Sequence, residues 1–175
     1  MSGMTRLGAL ALLSLALTGA AGPGERAPVG RPAVTGPQEV EVVAVLMDQR
    51  TQQPTVVLQG KRDKRSLVMA IGLAEATGIA VPLQGVTPPR PLTHDLFLTL
   101  FGRLKVALVR AVITDLRDDV YYATVSFTVD GSEFSLDARP SDAIALAIRA
   151  KIPVLVEDRV FDKGGGAPQQ RRPAI

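Results

Sequence analysis

Two alternating runs, the first rich in β-branched residues, flank the dipeptide Asp130-Gly131, and no other feature constrains the fold as strongly. Asp-Gly supplies the positive-φ residues that a two-residue hairpin turn requires. Val120 to Val129 and Glu133 to Ala138 are therefore read as antiparallel neighbours. The second run leads at once into Pro140-Ser-Asp-Ala-Ile-Ala-Leu-Ala-Ile-Arg149, where Ile144, Ala147 and Ile148 share one helical face. Arg139 or Ser141 is the expected cap of that helix.

The same order occurs upstream. Glu39 to Met47, Thr55 to Gln59 and Ser66 to Ile71 read as strands, joined by a polar turn at 48–54 and a charged hairpin loop, Lys61-Arg-Asp-Lys-Arg65. A helix over Ala74 to Leu83 follows, weakened by Gly78 and Pro82. Pro88-Pro89-Arg90-Pro91 is a stiff connector. Thr93 then reads as the N-cap of a helix with Asp95 in its first turn and Leu96, Phe97, Leu100, Phe101 and Leu104 along one face. Lys105 to Thr114 and Pro153 to Val156 complete the strands. Strands followed by helices, twice, give an α+β fold: a single compact domain of antiparallel strands and hairpins with about three helices.

The flanks read differently. Residues 1–21 combine Arg6, the apolar run Leu7 to Leu17 and small residues through Ala21, the pattern of a signal peptide. The run is shorter than the roughly 20 apolar residues of a membrane span. An exported, periplasmic or secreted protein is expected, without a stable membrane span after cleavage; the alternative is an anchor through an uncleaved N-terminal segment. Residues 22–38 read as a flexible Gly/Pro-rich linker, 39–163 as the folded domain and 164–175 as a disordered tail.

Composition narrows the chemistry. The chain has no cysteine and one histidine, His94, which excludes disulfides, thiolate metal sites and any zinc site with two histidines. A net charge of +3 permits contact with phosphate without demanding it. Aromatic residues are only 4% of the chain, too few for a base-stacking platform. Phe97, Phe101 and Phe127 read as core positions, and Tyr121-Tyr122 as the exposed aromatic pair. The junction Asp137-Ala-Arg-Pro-Ser-Asp142 sets opposed charges at a helix N-terminus, where free backbone N–H groups and the helix dipole favour an anion.

Three stretches together resemble the bifunctional nuclease family: Gly85-Val-Thr-Pro-Pro-Arg-Pro-Leu-Thr-His-Asp-Leu96; Val112-Ile-Thr-Asp-Leu116 with Tyr121-Tyr-Ala123; and Asp137 to Arg149. The similarity covers roughly residues 40–160. It implies a compact α+β domain that forms homo-oligomers and a nuclease acting on DNA or RNA. The positions it singles out are Arg90, His94, Asp95, Asp115, Asp137, Arg139, Ser141 and Asp142. Three residues depart from the family pattern. Thr77 stands where a second acid beside Glu75 is usual, Ala70 replaces an aromatic, and Pro82 interrupts the helix.

Phosphodiester hydrolysis needs charge stabilisation on phosphate and an activated water, which Mg²⁺ or Mn²⁺ held by carboxylates commonly supplies. Asp115, Asp137, Asp142 and Glu75 are the candidate metal ligands. Asp137, Asp142, His94 and Asp115 are the candidate catalytic residues, and Arg139, Ser141 and Arg90 the candidate phosphate contacts. Each has a purely structural alternative. Asp142 can pair with Arg139 three positions back, His94 can contact a neighbouring carboxylate, Asp115 can be turn chemistry, and Lys61 to Arg65 can be a solvated hairpin. The alternative function is a non-catalytic, oligomeric binding or scaffold module that takes anions or nucleotides at the Ser141 helix N-terminus.

Overall fold

A computed structural model describes residues 36–165. The expectations for the signal peptide, most of the linker and most of the tail lie outside these residues. Seven strands form one sheet: β1 Gln38–Met47, β2 Pro54–Gly60, β3 Ser66–Ala70, β4 Ala107–Arg117, β5 Val120–Val129, β6 Ser132–Ala138 and β7 Val154–Val156. Four helices accompany them: α1 Leu73–Leu83, α2 Thr93–Arg103, α3 Pro140–Ala150 and α4 Asp158–Gly164. The strand order is β3-β2-β1-β7-β4-β5-β6.

The hairpins are where the turn chemistry places them. Asp130 and Gly131 have φ of 48° and 80°, and β5 pairs with β6 from Val129↔Ser132 to Ala123↔Ala138. β4 and β5 meet through Asp118 and Asp119, both also at positive φ. All pairings are antiparallel except β4 with β7, a parallel contact made when the chain crosses over through α3. The short strand β7 thereby joins the two hairpin systems at the centre of the sheet.

Alternation decides which face is buried. In β2 every second residue, Val56 and Leu58 among them, is buried, while Thr55, Val57 and Gln59 are half-buried. Cross-strand partners extend that face: Met69 opposite Val56, Leu67 opposite Leu58, Val154 opposite Val40 and Ala111, and Ile113 opposite Ala123. Ala76 and Ile79 of α1, Ala143, Ile144 and Ala147 of α3, and Val160 and Phe161 of α4 complete a single aliphatic core.

Several expectations change. The described residues hold four helices against the expected three or so, the added one being α4, seven residues, too short and too charged to show a helical period. Its Val160 and Phe161 are fixed by the core, with Phe161 also under the Arg65 guanidinium. α1 continues into its last turn through Pro82. Thr93 is the first helical residue of α2, and Leu92 occupies the cap position. Phe127 is buried and Phe101 partly so, but Phe97 is 49% exposed, and α2 buries none of its residues. Tyr121 packs on the core, whereas Tyr122 is exposed. Arg65 of the charged hairpin bonds Asp63, Asp158 and Asp162, tying the β2–β3 loop to α4.

Candidate functional site

α1, α2 and α3 meet with their polar ends together, and four ionisable side chains from the three helices converge there. Arg139, at the N-cap position of α3, donates from Nε to Asp142 Oδ2 at 2.7 Å and from Nη2 to Asp142 Oδ1 at 3.1 Å. Its Nη1 donates to Glu75 Oε1 at 2.7 Å, reaching the first turn of α1. His94, in the first turn of α2, places Nε2 3.3 Å from Asp142 Oδ1. The guanidinium remains 64% exposed, Asp142 33%, Glu75 21% and His94 15%. The cluster therefore opens to solvent through Arg139.

The electrostatics follow from these contacts. Partial burial pushes the Asp142 carboxyl up, but hydrogen bonds from Arg139 and His94 hold it below its ordinary range. Glu75 is lowered by its own backbone N–H and then by Arg139. The two carboxylates raise Arg139 in turn. All three charges are fixed at neutral pH.

A second set of contacts holds the helices in place. The Asp95 side chain accepts from Leu92 N at 2.8 Å, closing the first turn of α2. Arg149 Nε donates to Asp95 Oδ1 at 2.7 Å, and Nη1 donates to Gly78 O at 2.5 Å and Ala145 O at 3.0 Å. The Gly78 carbonyl is free because Pro82, four residues on, has no N–H to give it. Gly78 also makes room for the histidine: a Cβ there would lie 3.0 Å from His94 Cε1 and 3.3 Å from Nδ1. Asp142 and Arg149 are seven residues apart, two turns along one face of α3. That face receives His94 and Asp95 together.

The other sequence candidates lie elsewhere. Asp115, at the end of β4, is buried and accepts from Lys163 Nζ at 2.7 Å, Arg117 Nε at 2.7 Å and Leu116 N at 2.9 Å. Lys163 and then Arg117 hold its carboxyl far below the ordinary range. It anchors α4 to the sheet. Asp137 is exposed on β6, opposite Thr124, and forms no ion pair among the described residues. Ser141 is buried in the first turn of α3. Arg90 is exposed in the connector before α2.

Among the described residues, no group of three or more His, Asp or Glu side chains is arranged to hold a metal ion. Asp115 is occupied by two cations, Asp142 by Arg139 and His94, and Asp137 joins neither. The proposed Asp115, Asp137, Asp142 donor set does not fit a resident Mg²⁺ or Mn²⁺. Glu75 joins the Arg139 cluster even though Thr77 stands where a second acid is usual in the family. Thr77 instead turns its hydroxyl back to Leu73 O. Among the described residues, no helix is long and apolar enough to cross a membrane.

Comparison with known proteins places the chain among relatives. Residues 56–168 match the family described as "Bifunctional nuclease domain". "Uncharacterized protein Rv1829" of Mycobacterium tuberculosis is 39% identical over 127 residues, covering 73% of this chain and 76% of its own. "Bifunctional nuclease 1" of Oryza sativa subsp. japonica is 31% identical over 108 residues, covering 59% of this chain but only 33% of the rice protein.

Proposed function

The chain belongs to the bifunctional nuclease domain family, and on that premise we propose that it is a nuclease-like protein directed at the phosphodiester bonds of DNA or RNA. The observation that carries this reading is the convergence of Glu75, His94, Arg139 and Asp142 from three helices on one solvent-open spot. Arg139 is the phosphate-contacting group. Its planar guanidinium matches two phosphate oxygens, and its exposure lets nucleic acid reach it. A phosphate on Arg139 competes with Asp142 and Glu75 for the same donors. Engagement releases a carboxylate oxygen of Asp142 beside the scissile bond; it takes a proton from the attacking water as that water bonds to phosphorus, while the P–O bond to the leaving sugar oxygen breaks and that oxygen takes a proton from the solvent to which the cluster opens.

His94 orients Asp142. Its ring is held between Gly78 and the carboxylate, so Asp142 stays aimed as Arg139 changes partner. The Asp95–Arg149 pair positions α2 and hence His94. Nucleic acid is the proposed partner, and export is the proposed location.

A specific observation favours a second reading, the non-catalytic binding module: the carboxylates of Asp115 and Asp142 are both already neutralised by cations. Cleavage of labelled single- and double-stranded DNA and RNA, with and without Mg²⁺ or Mn²⁺, separates the two. Arg139→Met, Asp142→Asn and His94→Gln are expected to lower cleavage by about 100-fold or more, with folding checked by circular dichroism. Loss confined to Asp137→Ala would move the centre to the end of β6. Oligonucleotide binding without cleavage in any metal would establish the binding module instead.

A further inference from the structure

We propose that the surface shared by α2 and β6 is a stacking platform for the unpaired bases of single-stranded nucleic acid, leading to the Arg139 cluster. The proposal deepens the nuclease reading and rests on it for the choice of occupant. Aromatic residues are scarce in this chain, but they are concentrated. Four of the five phenylalanines stand in one row. Phe97 meets Phe101 at 5.8 Å between ring centroids, Phe101 meets Phe127 at 5.3 Å, and Phe127 stacks on Phe134 at 5.5 Å. The inner rings are held by the core, Phe127 buried and Phe101 partly so. The end rings are open: Phe97 is 49% exposed and Phe134 is 42% exposed. Exposed Leu96, Leu100 and Leu136 widen the apolar surface around them. Every base has a π-face to lay on such a ring, whatever its identity. A duplex keeps those faces inside its own stack, so only a single strand can use the platform.

Two observations select nucleic acid over other apolar occupants. The first is charge. Arg103 follows Leu96 by two turns and shares its side of α2, and Lys105 comes just beyond the helix. Both are exposed, and neither forms an ion pair among the described residues. In β6, Glu133 and Asp137 alternate with Phe134 and Leu136 and so point to the opposite face of the sheet. Phosphates beside the stacked bases therefore meet cations.

The second observation is continuity. α2 begins at the cluster, with His94 in its first turn, and β6 runs into it, because Arg139 follows the last residue of the strand. From His94 to Arg103 the helix rises roughly 14 Å. That is the length of about four stacked nucleotides at about 3.4 Å each. A strand held by Arg103 and Lys105 at the far end thus brings a phosphate to Arg139 at the near end.

The chain has no tryptophan, so a single one reports the contact directly. Full-length Phe97→Trp is titrated with an oligothymidylate of roughly twelve nucleotides, an oligouridylate of the same length and a hairpin duplex, in the cold and in EDTA. The expected result is quenching by both single strands and not by the duplex. Val43→Trp, exposed on β1 in the other half of the sheet, should be silent to all three. Phe97→Leu and Phe134→Leu keep the surface apolar and remove a ring. Each is expected to weaken single-strand binding about tenfold or more by fluorescence anisotropy, with duplex binding and circular dichroism unchanged. The Arg103→Gln/Lys105→Gln double variant should reduce the slope of log affinity against log salt by about 1.4. Failure of either single strand to quench Phe97→Trp overturns the proposal. So does a duplex that binds as tightly as the single strands while both leucine variants bind like the parent. Tryptophan emission already blue-shifted and insensitive to nucleic acid also overturns it, and assigns the surface to a protein partner. The nuclease reading is judged separately. Quenching without cleavage keeps the platform and removes the activity. Single-strand cleavage whose KM the leucine variants leave unchanged keeps the activity and removes the platform.

Discussion

Gly78 shows how much a single residue can decide in this fold. It lacks the Cβ that would press on His94, and its carbonyl accepts from Arg149 because Pro82 cannot supply the helical N–H. Gly78→Ala gains about 1 kcal/mol of helix propensity, which offsets the tight contact with His94. It is expected to leave stability nearly unchanged while shifting the His94 ring resonances. Gly78→Val adds volume the site cannot absorb and is expected to cost about 1–3 kcal/mol by denaturant titration. Arg149→Met leaves Asp95 and the Gly78 carbonyl without their donor, and about 2–4 kcal/mol should be lost; a variant as stable as the parent would show that the clamp holds nothing. Asp115 is legible as a charged turn residue but not as an anchor. Its two cations come from Arg117, two residues on, and from Lys163, nearly fifty residues away.

Among the elements, the hairpin strands were read to within a residue or so because turn chemistry and alternation are local, except β4, which runs Ala107–Arg117 rather than Lys105 to Thr114 and so keeps Asp115 in the strand. The β4–β5 turn is the exception that invites improvement. Asp118 and Asp119 hold φ of 47° and 62°, a conformation glycine adopts without strain. Asp119→Gly is expected to raise stability by about 0.5–1 kcal/mol, read as a shift in the denaturation midpoint without a change in slope. The helix α2 has the period its sequence announces, but that period does not say what covers it. Its start is held to the rest of the domain through His94 and Asp95, and farther along Phe101 packs on Phe127. Amide exchange in α2 should accordingly be faster than in α3, and Arg149→Met should accelerate it further. Equal protection of the two helices would contradict this account.

For the molecule as a whole, acid sensitivity follows from the sign of the carboxylate shifts. Asp63, Glu75, Asp95, Asp115 and Asp142 are all held below their ordinary values. Around and below pH 4 the unfolded chain therefore binds more protons than the folded one, so stability rises with pH through that range. It is complete above about pH 5 and is lost as pH falls below about 4, toward the lower folded-state values. A thermal melt series should show that decline, and a melting temperature constant down to about pH 2.5 would refute it. The sequence by itself determined the α+β class, the hairpins, the aliphatic core and the junction that carries Arg139 and Asp142, because these depend on turn residues, period and neighbours close in the chain. Only the tertiary structure decided that Asp142 meets His94 and, through Arg139, Glu75, that Asp115 and Asp137 stand apart from them, and that α2 is left bare. Those outcomes depend on how β7 and α3 bring distant segments together, and a charge carries no mark in the sequence of which distant partner will neutralise it.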